Sequence, residues 1–334
     1  MPESAVFQEF IRSLRKKGLP NIRAPHGEGI HWDVVDNSFI RCILPIPLLE
    51  KNFQENHPSA PSFALAFTFW SNHFELGIKS CRISIVGQQS DNRDSRLHLR
   101  RNLFIINQYC ELLGDIFTVE RSEDLTWRWP NDPVLNQPGK SDRAGNEHGN
   151  PEHLIEVQLA TNRNNIASVF PCKELLTQWG RQLPLGLFDH EVATINEWTP
   201  GKGSQIDLWS KDIKGETLHL FELKADNNAH VGIIPQALYY ARLMHYVRTG
   251  LPNGGAIRGG GDGIEAARKA RQIVMWLIAP NYHPLVYSGG VTPLALLNEA
   301  LKSQGLEFRI MPFELKDGLI ARWLPEAQWP RPAH

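Results

Sequence analysis

Residues 205–240, QIDLWSKDIKGETLHLFELKADNNAHVGIIPQALYY, leave a chain little choice in how to fold. Two runs of strand formers flank Lys214-Gly215, where glycine accepts the positive φ of a tight turn, so the stretch predicts a β-hairpin. Side chains alternate faces along a strand, which puts Leu218, Leu220, Glu222 and Lys224 on one side and His219, Phe221 and Leu223 on the other. A hairpin symmetric about Lys214-Gly215 sets Asp207 opposite Glu222, with Cβ atoms roughly 5 Å apart. Two carboxylates that close repel, and one keeps its proton unless a cation lies between them. A divalent ion with a preference for hard oxygen ligands, Mg²⁺ or Mn²⁺, satisfies both. Lys224, one step along the same face, is then placed to orient a water or to stabilise charge on a phosphate. The competing reading is a plain ion pair on a half-exposed hairpin. The carriers LHLFELKA and QIDLW are too apolar for a solvated face, which favours chemistry.

In its order of acid-bearing strand, Glu-x-Lys strand and Gln-bearing helix, the chain resembles the PD-(D/E)XK nuclease superfamily. That resemblance covers about the last 180 residues. It implies a restriction-endonuclease-like α/β core: a helix, three strands, a helix and a fourth strand in a central mixed sheet flanked by helices. It further implies metal ligation by Asp207, Glu222 and the Leu223 carbonyl, with Lys224 as the superfamily lysine. Gln236 and Tyr240, at i and i+4 on one helix face, match the Gln-x-x-x-Tyr pattern of helicase-associated exonucleases. Ile206 stands where many members have proline. An acid on the first core helix is also implied. Glu152 is the first candidate, on a helix opening at Pro151 behind an Asn150 cap. Glu156 and Glu174, the latter on a second expected helix over CKELLTQWGRQL, are the alternatives; an acid in a first helical turn is favoured by the helix dipole in any case.

The remaining segments fill in that core. HEVATINEW (190–198) is expected as the first strand, RQIVMWLIAP (271–280) as a buried parallel strand, TPLALLNEALKSQG as a helix ended by Gly305, and LEFRIMPFEL as the last strand. Residues 1–128 read as an α+β domain, with strands at FIRCILPIPLL, SFALAFTFW and CRISIVGQ and a helix at LHLRRNLFIINQYCELLG. The Pro/Gly/Asn/Asp-rich stretch 129–150 reads as a linker to a nuclease-like domain over 151–334. The first domain is expected to select the target or a partner, a second copy of the chain included.

Charge gives no general support for a nucleic-acid partner. Among 334 residues, 35 Lys and Arg face 36 Asp and Glu, for a net charge of −1. Arg96, Arg100 and Arg101, after the polar loop QQSDNRDS, are the best local candidates for phosphate contacts. The glycine-rich NGGAIRGGGDG lacks the Gly-Lys-Ser/Thr of a nucleotide cradle. Four cysteines without Cys-x-x-Cys spacing point to free thiols, and no membrane-length apolar run is present, so a cytoplasmic protein is expected. The expected activity is Mg²⁺-dependent hydrolysis of DNA phosphodiester bonds; the alternative is a catalytically silent, nucleic-acid- or protein-binding member of the same fold.

Overall fold

The computed structural model describes residues 3–53, 55–135, 151–161, 178–201, 204–225, 230–258 and 261–324. The molecule is mixed α/β, with mixed sheets flanked by helices. The N-terminal sheet has the order β1 (His31–Val35), β2 (Phe39–Pro45), β3 (Ser80–Val86), β4 (Phe117–Glu120). β1 and β2 form an antiparallel hairpin, and the later neighbours are parallel. Alternating burial along β1, β2 and β3 leaves one face for the core. Helices α1 (Ala5–Lys16) and α3 (Ala60–His73) pack there, while a single helical turn, α2 (Ile46–Leu49), follows β2. The segment SFALAFTFW, expected as a strand, lies within α3. Its unbroken apolar run carries no period to separate a buried strand from a buried helix, and Pro61 in the first turn starts the helix. Helix α4 (Arg93–Leu113), capped by Asn92 Oδ1 on the Ser95 amide, leads to β4.

Part of the stretch read as a linker is built into structure. β5 (Pro133–Leu135) pairs antiparallel with β7 (Leu187–Asp189) and parallel with β10 (Ala256–Ile257). Residues 136–150 lie outside the described set.

The larger sheet has six strands in the order β13 (Leu319–Trp323), β12 (Leu306–Lys316), β11 (Gln272–Ala279), β9 (Thr217–Leu223), β8 (Gln205–Lys211), β6 (Gln178–Pro184). β11 runs parallel to both neighbours and is buried almost throughout, as its apolar run requires. Two expectations are corrected here. HEVATINEW forms a 3₁₀ turn at Thr194–Asn196, and the first strand of this sheet is β6, whose sequence had been read as a helix end. A Cβ on Gly180 would fall 2.1 Å from Trp209 Nε1, so the missing side chain makes room for the Trp209 ring. The strand after β12 was also missed: β13 returns through Asp317-Gly318, both at positive φ, the Asp-Gly signal of a tight hairpin.

Helix α5 (Pro151–Thr161) covers one face of this sheet, where Ile155 and Leu159 join Leu208, Phe221, Leu223 and Trp276. The other face carries Leu218, Leu220, Met275 and Leu277 under α6 (Ile233–Thr249), with α7 (Asp262–Lys269) beside it. Helix α8 (Leu294–Leu301) lies against β12, and Gly305 ends it in the left-handed region. The largest cluster of buried side chains runs from Phe7 to Ile310, and Trp70 Nε1 donates to the Leu285 carbonyl at 3.0 Å. Among the described residues no helix is long and apolar enough to cross a membrane.

Candidate active site

The β8–β9 turn sets the geometry. The Asp212 amide donates to the Thr217 carbonyl, the Glu216 amide to Asp212 Oδ1, and Gly215 sits at φ 68°. Register pairs run from Lys211↔Leu218 to Leu208↔Phe221, so the next step brings Asp207 across from Glu222. At that point the Leu223 amide donates to Asp207 Oδ2 at 2.7 Å. The strand continues one residue further, the Lys224 amide donating to the Ile278 carbonyl at 2.8 Å.

Lys224 Nζ lies 2.8 Å from Glu222 Oε1 and 3.9 Å from Glu152 Oε1. Glu222 is wholly buried, and its Oε2 has no hydrogen-bond partner among the described residues. Burial, opposed in part by Lys224, lifts the Glu222 carboxyl to about 7. Burial first, and then the Glu222 charge, push Asp207 well above the usual carboxylate range, against the pull of Lys224 and the Leu223 amide. Burial alone would depress Lys224, but Glu222, Asp207 and Glu152 together hold its ammonium above its ordinary value.

Of the three first-helix candidates, Glu152 is the one that reaches Lys224. Glu156, one turn on, pairs instead with Arg181 of β6 at 3.1 Å, and its charge adds to the rise of Asp207. Glu174 lies outside the described residues. Arg181 also donates to His153 Nδ1 at 3.2 Å. Sequence reasoning missed this arginine: its partners are 25 and 28 residues earlier, and β6 was not recognised as a strand. Gln182, next to it, takes a left-handed φ of 48° where the β6–β8 ladder skips the position facing Asp207.

Gln236 and Tyr240 stand on α6, 3% and 2% exposed. Burial, with Glu222 next in size, pushes the Tyr240 phenol up; Arg101 opposes the rise. Gln236 Oε1 is buried without a hydrogen-bond partner among the described residues. The neighbouring Tyr239 hydroxyl is 2.7 Å from Thr199 Oγ1. His245 accepts from Arg248 at 2.9 Å, and burial lowers it to about 4.

The three candidate phosphate contacts divide. Arg96 is exposed and Arg100 sits 3.9 Å over the Trp198 ring. Arg101 is 5% exposed, lies over Phe53 and donates to Asn52 Oδ1, His98 Nδ1 and Ser204 Oγ, so it faces protein.

Among the described residues no group of three His, Cys, Asp or Glu side chains has the arrangement of a metal centre. The donor set nevertheless suits a hard cation in its chemistry: two facing carboxylates, one with an orphaned buried oxygen and both with depressed acidity. In this arrangement the Lys224 ammonium supplies the positive charge. No known family model, curated protein or solved structure matches the chain.

Proposed function

We propose that the chain is a divalent-metal-dependent nuclease with a restriction-endonuclease-like core, cutting DNA phosphodiester bonds in the cytoplasm. One observation carries the reading: the β8–β9 register carries Asp207 to the position across from buried Glu222, and the Lys224 ammonium lies 2.8 Å from Glu222. The mutual repulsion and burial of the two acids cost stability, and a cation is what would relieve both. The element order supports it as well: α5, then β6, β8 and β9, then α6, then β11 parallel to β9. In this reading Asp207, Glu222 and the Leu223 carbonyl would hold Mg²⁺ or Mn²⁺, and the ion would lower the pKa of a bound water. Lys224 would steady negative charge on the phosphate or orient the attacking water. Glu152 keeps Lys224 in place, and Gln236 and Tyr240 close the site from α6.

Incubation with single-stranded, duplex and branched DNA under Mg²⁺, Mn²⁺ or chelator tests this. Metal-dependent cleavage by the wild type, lost in Asp207→Ala and Lys224→Ala, is expected; equal cleavage by all three rejects it. A second reading, a non-catalytic binding member of the same fold, draws on the ammonium already standing between Glu222 and Glu152.

A further inference from the structure

Helix α4 and the 190–198 loop meet at a surface that the acid site does not use. Arg93, Arg96 and Arg100 stand at i, i+3 and i+7, along one helix face. Arg93 NH2 donates to the Thr194 carbonyl and pairs with Glu197 at 3.2 Å and, through NH1, with Asp94 at 3.7 Å. Arg96 and Arg100 have no carboxylate within 4 Å among the described residues; the charge of Asp189 acts on Arg100 from farther away. Arg100 lies 3.9 Å over Trp198, whose Nε1 donates to the Arg128 carbonyl. The loop that Arg93 grips carries Ile195, 83% exposed, at its tip, with Val192 42% exposed beside it.

Three like charges on one helix face repel, and burial together with Arg96 and Arg93 holds the half-buried Arg100 guanidinium below its usual value. A polyanion laid along the face relieves that repulsion. An aromatic ring under Arg100 holds that guanidinium in place for a phosphate, and an aliphatic side chain held out in solvent suits a base that follows it. Arg101, next in sequence but turned into the protein, reaches Ser204, three residues before Asp207 on the chain.

We infer that this surface grips the phosphate backbone of DNA, with Arg96 and Arg100 on phosphates and Ile195 against bases of an unpaired strand. The inference rests on the nuclease reading for its choice of DNA, and it names the part of the substrate away from the cut.

Fluorescence anisotropy in chelator tests it with labelled single-stranded DNA, duplex DNA and single-stranded RNA, across a salt series. Wild type is expected to bind single-stranded DNA tightest. An Arg96→Ala/Arg100→Gln double variant should lose about tenfold in affinity at physiological salt and flatten the log–log salt slope by about one to two. Ile195→Ser should weaken the single strand more than the duplex, and Arg12→Ala, on a distant helix, should change nothing. Melting curves confirm that each variant is folded; should the double variant not fold, Arg96→Glu alone carries the same test. Unchanged affinity and slope in the arginine variants, no binding of DNA by wild type, or tighter binding of RNA overturns the inference. Cleavage assays separate the two readings. Metal-dependent cutting with unaffected arginine variants sinks this surface alone; arginine-dependent binding with no cutting sinks the nuclease and leaves the surface standing.

Discussion

Two buried charged centres on opposite sides of α6 show what separates a brace from a site. Arg242, 6% exposed, bonds through Nε to Gln108, through NH1 to Gln304 and through NH2 to the Tyr246 hydroxyl at 3.2 Å. Neutral amides and a phenol satisfy this guanidinium, and Gln108 ties α6 to α4. The acid centre does the reverse. Glu222 is more deeply buried still, yet among the described residues Glu222 Oε2 and Gln236 Oε1 have no hydrogen-bond partner, and burial first, then the Glu222 charge, raises Asp207. A buried charge that is fully bonded holds a fold together; buried oxygens left open beside a lysine are what the proposed metal site would fill.

The contrast can be broken by mutation. Asp207→Ala and Lys224→Ala should abolish cleavage, a loss of at least about a thousandfold, while the melting temperature stays near that of wild type. Arg242→Ala should do the opposite. The side-chain oxygens of Gln108 and Gln304 would lose the donor that Arg242 provides, destabilising the fold by about 2–4 kcal/mol in urea unfolding, while activity persists at temperatures where the variant is folded. A large activity loss in folded Arg242→Ala would erase the distinction.

Linkage sharpens the comparison. The folded state holds the Glu222 proton up to about 7, whereas an unfolded glutamate releases it near 4.5. The folded state thus binds more protons across that window, so metal-free stability falls as pH rises from 4.5 to 7, by at most about 3 kcal/mol from this group. Denaturant unfolding of Glu222→Gln in chelator should show a flatter profile over the same range; an unchanged slope would remove Glu222 from the account. A smaller effect is expected at the sheet edge. Gly180→Ala must displace the Trp209 ring and should destabilise by about 1–3 kcal/mol, leaving the pH profile as in wild type.

The register of the β8–β9 hairpin was legible because two local signals agree: a glycine turn and a run of strand formers on either side of it. The same logic recovered β11 and α6. It failed at SFALAFTFW, where uniform hydrophobicity hides the period, and at β6, where strand formation depends on Trp209 occupying the space above Gly180. It separated Asp207, Glu222 and Lys224 from the background but not Arg181, whose role depends on Glu156 arriving from another element. Arg101 was grouped with its exposed neighbours because sequence does not show that Ser204 and Asn52 close over that side of α4. Local patterns reveal pairs within one hairpin; they do not reveal which distant strand or loop covers a given helix face.

Titration of the metal-free protein with Mn²⁺, read by calorimetry beside Glu222→Gln, tests the central claim most directly. The account predicts saturable binding by wild type with proton release, since both raised carboxyls must ionise, and its loss in the variant. Identical Mn²⁺ binding by the two proteins, or none by the wild type, would contradict it.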